Sequence, residues 1–261
     1  MALWKEDRAD PGEALRKGTT ALPQAITLAG VYFGFLAMCW AGTDPYRAGV
    51  CIVMAALCDM IDGRVARITG TESEFGAQLD SLADIVSFGL APAFLMYQWA
   101  LSDLGEGVVS LGGTLAFTFV ACGAIRLARF NASATSDEEP SRHFEGIPIP
   151  VGALWLTCIV MTAHEHEQAM AILRSVEVVV PVLLCASVLM ISRVPFPSYK
   201  RFKRKAGMFA FYGTITTGLT VLAFGGPGGT VLLGLLVLYL LVGAFGALMI
   251  AAGQTADRPP A

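Results

Sequence analysis

Asp59, Asp62, Asp80 and Asp84 fall within a stretch of 26 residues, in a chain that is 55% hydrophobic and only 15% charged. A charged side chain at membrane depth costs about 2.5–3.5 kcal/mol on insertion scales, so four carboxylates in one place need a compensating partner. Asp59 and Asp62 are spaced i, i+3, and Asp80 and Asp84 i, i+4, so on α-helices each pair shares a face. Hard oxygen ligands of this kind suit Mg²⁺ or Mn²⁺ rather than zinc or copper. Four carboxylates can hold two such ions, and a two-metal site clamps the attacking and leaving oxygens of a phosphoryl-type transfer. Gly63 leaves room for a ligand beside Asp62, and Gly76 allows close approach of the following segment. Arg67 lies on a similar face to Asp59 and is suited to bind a phosphate as a bidentate donor. The bland alternative is a set of structural ion pairs with Arg64 and Arg67.

The rest of the composition excludes other chemistries. Cys39, Cys51, Cys58, Cys122, Cys158 and Cys185 lie singly in apolar stretches and form no Cys-x-x-Cys pattern. His143, His164 and His166 also lack metal-ligand spacing. A net charge of −3 gives no electrostatic case for nucleic acid. The polar opening MALWKEDRADPGEALRKG is not a signal peptide. It reads as a cytoplasmic segment, with Trp4, Leu15 and basic residues suited to an interfacial helix.

The elements that must position the aspartates are apolar helices. The fold expected is all-α, a polytopic membrane bundle of about eight transmembrane helices. The predicted spans are roughly 22–41, 47–69, 77–100, 108–131, 147–165, 176–192, 207–224 and 229–252. A polar turn, Gly70 to Ser73, returns the second span antiparallel into the third, so the two aspartate pairs converge. All 18 basic residues except Arg47 and Arg174 fall on the side of the N-terminus, which predicts both termini cytoplasmic and the aspartates at the cytoplasmic ends of spans 2 and 3. The basic run Lys200 to Lys205 serves that topology signal and would attract anionic lipid. The organisation expected is a 1–21 N-terminal segment, a 22–205 core, two C-terminal spans over 206–252 and a 253–261 tail.

The run Asp59-x-x-Asp62-Gly63-x-x-Ala66-Arg67, eight residues, Gly76-x-x-x-Asp80-x-x-x-Asp84 resembles the CDP-alcohol phosphatidyltransferases at every fixed position. These membrane enzymes move a phosphatidyl group from CDP-diacylglycerol to an alcohol and release CMP. The resemblance implies that all four aspartates hold a dinuclear Mg or Mn site and that Asp84 is the general base for the acceptor hydroxyl. It also implies that Gly63, Arg67 and Ser73 contact the nucleotide, and that the enzyme is a homodimer. Pro23-Gln24-Ala25-Ile26-Thr27 stands where such enzymes carry Pro-Asn-x-x-Thr lining the CDP site. Gln24 departs from that pattern but keeps an amide. Thr27 has a second reading, a hydroxyl bonded back to its own helix.

The segments DSLADIVSFGLAP from Asp80, RLARFN from Arg126, EGIPIP from Glu145 and LMISRVPFPSYK from Leu189 are together similar to the membrane-embedded phosphatidylserine synthases. That resemblance implies L-serine as acceptor and a bacterial cytoplasmic membrane, with the active site at its cytoplasmic face. Arg126 and Arg129 share a helix face, and either is suited to take the serine carboxylate; both could equally snorkel to headgroups. Asn131 and Ser87 are the further acceptor-site candidates. Other acceptors, glycerol phosphate or inositol phosphate, remain the main alternative. A divalent-cation transporter is the remote one, since its acidic groups should line a path through several spans.

Overall fold

The computed structural model describes residues 11–105, 110–135, 144–192, 195–196, 213, 215–218, 220–221 and 225–238. Helix α1 (Pro11–Trp40) turns through Ala41–Asp44 into α2 (Pro45–Thr69). The start of α2 is set locally: Asp44 accepts from the Arg47 amide at 3.0 Å, and Pro45 occupies the first turn, where a missing N–H costs nothing. Its end is set by Gly70, in the left-handed region at φ 63°, whose N–H returns to the Ala66 carbonyl. Three residues later Ser73 opens α3 (Glu74–Asp84) by accepting from the Gly76 amide at 3.1 Å. The expected reversal between the two aspartate pairs is therefore built from two adjacent caps.

From Glu74 the chain stays helical for 28 residues, to Leu101. It is not a uniform α-helix. A π-helical segment, Ile85–Leu90, begins directly after Asp84, followed by α4 (Ala91–Met96) and a second π segment, Tyr97–Leu101. Pro92, which has no N–H to donate, stands just beyond the first π segment. Such π turns mark functional sites more often than chance.

Helix α5 (Leu111–Thr135) follows, then α6 (Ile149–Glu165), α7 (Glu167–Leu173) and α8 (Val176–Ile191). Helix α6 is the hub of the core. Nearly all its residues from Ile149 to Ala163 are buried, as expected for a helix apolar on every face. It packs against α2, α4 and α8, while α1 and α2 form the most extensive helix pair among the described residues. Helices α7 and α8 are bent by 68° at Arg174–Ser175, directly before the expected span start at 176; the short helix α7 falls between the expected spans.

Two departures from a purely helical chain occur near the N-terminus of α6. Strands β1 (Phe144–Glu145) and β2 (Pro195–Phe196) pair antiparallel, with Phe144 opposite Phe196. Between β1 and α6, Gly146 adopts φ 76°, and a Cβ there would lie 2.5 Å from the Met190 carbonyl oxygen, so only glycine fits. Ile147 then donates to the Leu189 carbonyl at 3.2 Å. Residues 144–147 thus lie against Leu189 and against Pro195–Phe196.

Among the described residues three helices are long and apolar enough to cross a membrane: Ala21–Trp40, Glu74–Leu101 and Leu111–Ser133. The bent α7–α8 pair makes a fourth if it is one span. Helix α2 has the length but carries Asp59, Asp62, Arg64 and Arg67 at one end, and α6 is 17 residues. Only 28% of the first span and 39% of the third are buried within the protein, leaving Tyr32, Phe35 and Phe117 exposed, as lipid-facing surface would be. The apolar helices point to a membrane protein. Of the two further predicted spans, 207–224 and 229–252, an apolar helix Gly228–Leu238 and the helical residues 213, 215–218 and 220–221 are described; the remainder, with the Lys200–Lys205 run and both termini, lies outside the described residues. The helix expected as a separate N-terminal element is continuous with the first span from Pro11, and Trp4 lies outside the described residues.

Candidate active site

The two caps at Gly70 and Ser73 bring the ends of α2 and α3 side by side, and the aspartates meet there. One carboxylate oxygen from each of Asp59, Asp62 and Asp80 lies within 4.8 Å of the others. Asp62 is buried, and Asp59 and Asp80 are partly so. Three carboxylates at that range in a sheltered cleft repel one another and keep few water contacts, which is the environment a bound cation relieves. Asp84, one turn beyond Asp80, faces the same small cleft with Asp59, Asp62, Asp80 and Ser87. The donor set consists of hard oxygens only, so the residues present fit Mg²⁺ or Mn²⁺.

A cavity of about 220 Å³ opens beside this cleft, lined by Gln24, Thr27, Asp62, Gly63, Ser73 and Asp80 among others. Four of the five residues expected at the nucleotide therefore share one wall system. A Cβ on Gly63 would find only the Arg67 Nη2, at 3.9 Å, so the glycine leaves open space beside Asp62. Arg67 is exposed at the rim, its Nε donating to the Gly63 carbonyl at 2.8 Å. That bond holds the guanidinium next to the open space. Thr27 does bond back to its own helix, at 3.1 Å from the Pro23 carbonyl, and it also reaches Asp62 Oδ2 at 2.6 Å.

The four acceptor-site candidates divide. Arg126 is largely sheltered, within electrostatic reach of Asp84, and its Nε is a buried nitrogen with no hydrogen-bond partner among the described residues. Arg129, three residues on, extends away to the Ile191 carbonyl at the end of α8, at 3.3 Å. Asn131 donates to Ser81, the neighbour of Asp80, at 3.0 Å, tying α5 to α3. Ser87 is 2% exposed, and its hydroxyl donates to the Gly30 carbonyl at 3.1 Å, which fastens the π segment to α1. Sequence spacing put Arg126 and Arg129 on one face; the structure gives them different neighbours.

The residue-level match extends to comparison with known proteins. A family model described as CDP-alcohol phosphatidyltransferase matches residues 20–191. A Helicobacter pylori (strain ATCC 700392 / 26695) protein named CDP-diacylglycerol–serine O-phosphatidyltransferase is 34% identical over 188 residues, covering 72% of this chain and 76% of that protein. A Methanocaldococcus jannaschii protein of the same name is 39% identical over 150 residues, 57% of this chain and 62% of its own. The archaetidylserine synthase of Methanothermobacter thermautotrophicus is 34% identical over 181 residues, 68% and 70% of the two chains. The matched region runs from the helix that carries Gln24 and Thr27 to the end of α8, and so contains the whole carboxylate cleft and its cavity. With that coverage and the aspartate geometry together, the chain belongs to the CDP-alcohol phosphatidyltransferase family.

Proposed function

We propose that this protein transfers the phosphatidyl group of CDP-diacylglycerol to the hydroxyl of L-serine, yielding phosphatidylserine and CMP. The observation that carries the reading is the convergence of Asp59, Asp62 and Asp80 beside a cavity walled by Gln24, Thr27, Gly63 and Ser73, with Asp84 on the same cleft. The serine acceptor is supported by the names of the relatives, which share serine even where the lipid differs.

Asp59, Asp62 and Asp80, with Asp84, would hold two divalent cations, Mg or Mn. When bound, these would neutralise the diphosphate of the lipid substrate and the charge that develops on transfer. Gln24, Gly63, Arg67 and Ser73 bind the cytidine diphosphate moiety, and Arg126 pairs with the serine carboxylate. Asp84 accepts the proton of the serine hydroxyl. The serine oxygen forms its bond to the lipid-bearing phosphorus, the bond from that phosphorus to the bridging oxygen breaks, and CMP departs with the electron pair. Positioning and charge stabilisation supply most of the rate in this scheme. The site lies at the cytoplasmic face of a bacterial inner membrane, where a water-soluble alcohol and a bilayer lipid meet, and the enzyme works as a homodimer.

Membranes from cells expressing the chain, given CDP-diacylglycerol, Mn²⁺ and radiolabelled serine, should form labelled phosphatidylserine and release CMP. Labelled glycerol phosphate and inositol phosphate serve as competing acceptors. Product from either of these, with none from serine, overturns the acceptor assignment and leaves the family standing.

A further inference from the structure

Thr27 and Asp62 are separated by 35 residues and sit on different helices, yet both are buried, at 8% and 4% exposure. The Thr27 hydroxyl carries one proton and faces two acceptors: Asp62 Oδ2 at 2.6 Å and the Pro23 carbonyl at 3.1 Å. The shorter contact is to a carboxylate, and a charge-assisted bond of that length takes the proton. One oxygen of Asp62 is thereby committed to α1, and the plane of the carboxylate is fixed relative to Asp59 and Asp80. Hydrogen bonds of this kind orient metal ligands and are worth about 10–100-fold in metal affinity.

We propose that Thr27 is a positioning residue for Asp62 as a cation ligand, rather than only a wall of the nucleotide cavity. The inference rests on the metal reading given above. It makes α1 part of the cation site, although none of the four aspartates lies on that helix. Thr27→Val keeps the shape and removes the hydroxyl; Thr27→Ser keeps the hydroxyl.

The test is Mn²⁺ binding to the full-length protein in detergent micelles, without substrate, followed by electron paramagnetic resonance of the free ion. Thr27→Val should weaken Mn²⁺ binding about tenfold or more, and Thr27→Ser should restore it to within about twofold of the parent protein. CDP-diacylglycerol affinity measured at saturating Mn²⁺ should fall by a smaller factor in Thr27→Val than Mn²⁺ affinity does. If Thr27→Val fails to fold, Thr27→Ala carries the same comparison. Parental Mn²⁺ affinity in the valine variant overturns the proposal, as does a serine variant that fails to restore it, or a loss confined to CDP-diacylglycerol. Failure of the metal reading itself looks different: the parent protein would bind no Mn²⁺, or Asp62→Asn would bind it as the parent does.

Discussion

Gly34 of α1 faces Ser87 of the first π segment so closely that a Cβ on Gly34 would lie 2.9 Å from the Ser87 Cα. The neighbour is backbone, so it cannot swing aside, and Ser87 is also bonded to Gly30 one turn earlier. Gly34→Ala should therefore push α1 away from the helix that carries Asp80 and Asp84. A loss of about 1–3 kcal/mol is expected, seen as a lower unfolding temperature in detergent. Turnover should fall with it, because Thr27 and Gln24 ride on the displaced helix. A variant with unaltered stability would show that the crossing is looser than its geometry.

Asp84 lies outside the group of three mutually close carboxylates yet on the same cleft. Asp84→Asn should fold, keep measurable Mn²⁺ binding and lose about 10²–10⁴-fold in CMP release, the range a positioned base contributes. Full turnover in that variant sinks the general-base role.

Arg126 holds a buried Nε without a partner among the described residues, and such a nitrogen is costly unless a ligand meets it. Arg126→Ala should raise the KM for serine about tenfold or more while the KM for CDP-diacylglycerol stays near its parental value, as expected for a charged hydrogen bond worth about 1.5–3 kcal/mol. Arg129→Ala should instead lower stability, since its guanidinium serves the Ile191 carbonyl. The steady-state constants for both substrates, measured on both variants, decide the assignment.

Removing the cation should separate folding from function. Chelation with EDTA is expected to abolish serine incorporation, and added Mn²⁺ or Mg²⁺ to restore it, with the helical circular dichroism unchanged throughout. Turnover persisting after exhaustive chelation would contradict the metal reading.

Glu165 meets Tyr46 at the start of α2, about 20 Å along that helix from Asp59 at 1.5 Å per residue. Its carboxylate accepts from the Gly229 amide at 2.7 Å, the Thr230 amide at 2.8 Å, the Thr230 hydroxyl at 2.7 Å and the Tyr46 hydroxyl at 3.2 Å. Glu165→Gln puts a donor where donors already point, and should cost about 1–3 kcal/mol. Hydrogen exchange at residues 228–238 should quicken, while the KM values remain unchanged. Unaltered exchange there would mean that the helix is held by packing alone.

The parts of this architecture that were legible in the sequence are those set by neighbours in the chain. Asp44, Pro45, Gly70 and Ser73 mark helix ends because capping is decided within four residues. The meeting of the two aspartate pairs follows from i, i+3 and i, i+4 spacing on either side of one short turn. What was not legible depends on distant partners. The bond from Thr27 to Asp62 spans 35 residues and two helices. Arg126 and Arg129 share a helix face, but the end of α8 captures only the second. The pairing of Phe144 with Phe196 bridges more than fifty residues and leaves no periodic trace in two-residue strands. The π segments are hidden for a different reason: one residue more per turn barely alters an apolar pattern, and Pro92 is its only local mark.

Those wide turns set the rotational phase of the third span. Upstream of Ile85 the helix must aim Asp80 and Asp84 at the cleft; downstream it must aim Leu95 and Met96, both wholly buried, at the core. In an unbroken α-helix each residue added or removed turns everything beyond it by about 100°. Deleting one residue from within Ile85–Leu90 would thus leave all four aspartates in place in the sequence, yet the carboxylates and the core anchors could no longer both face inward.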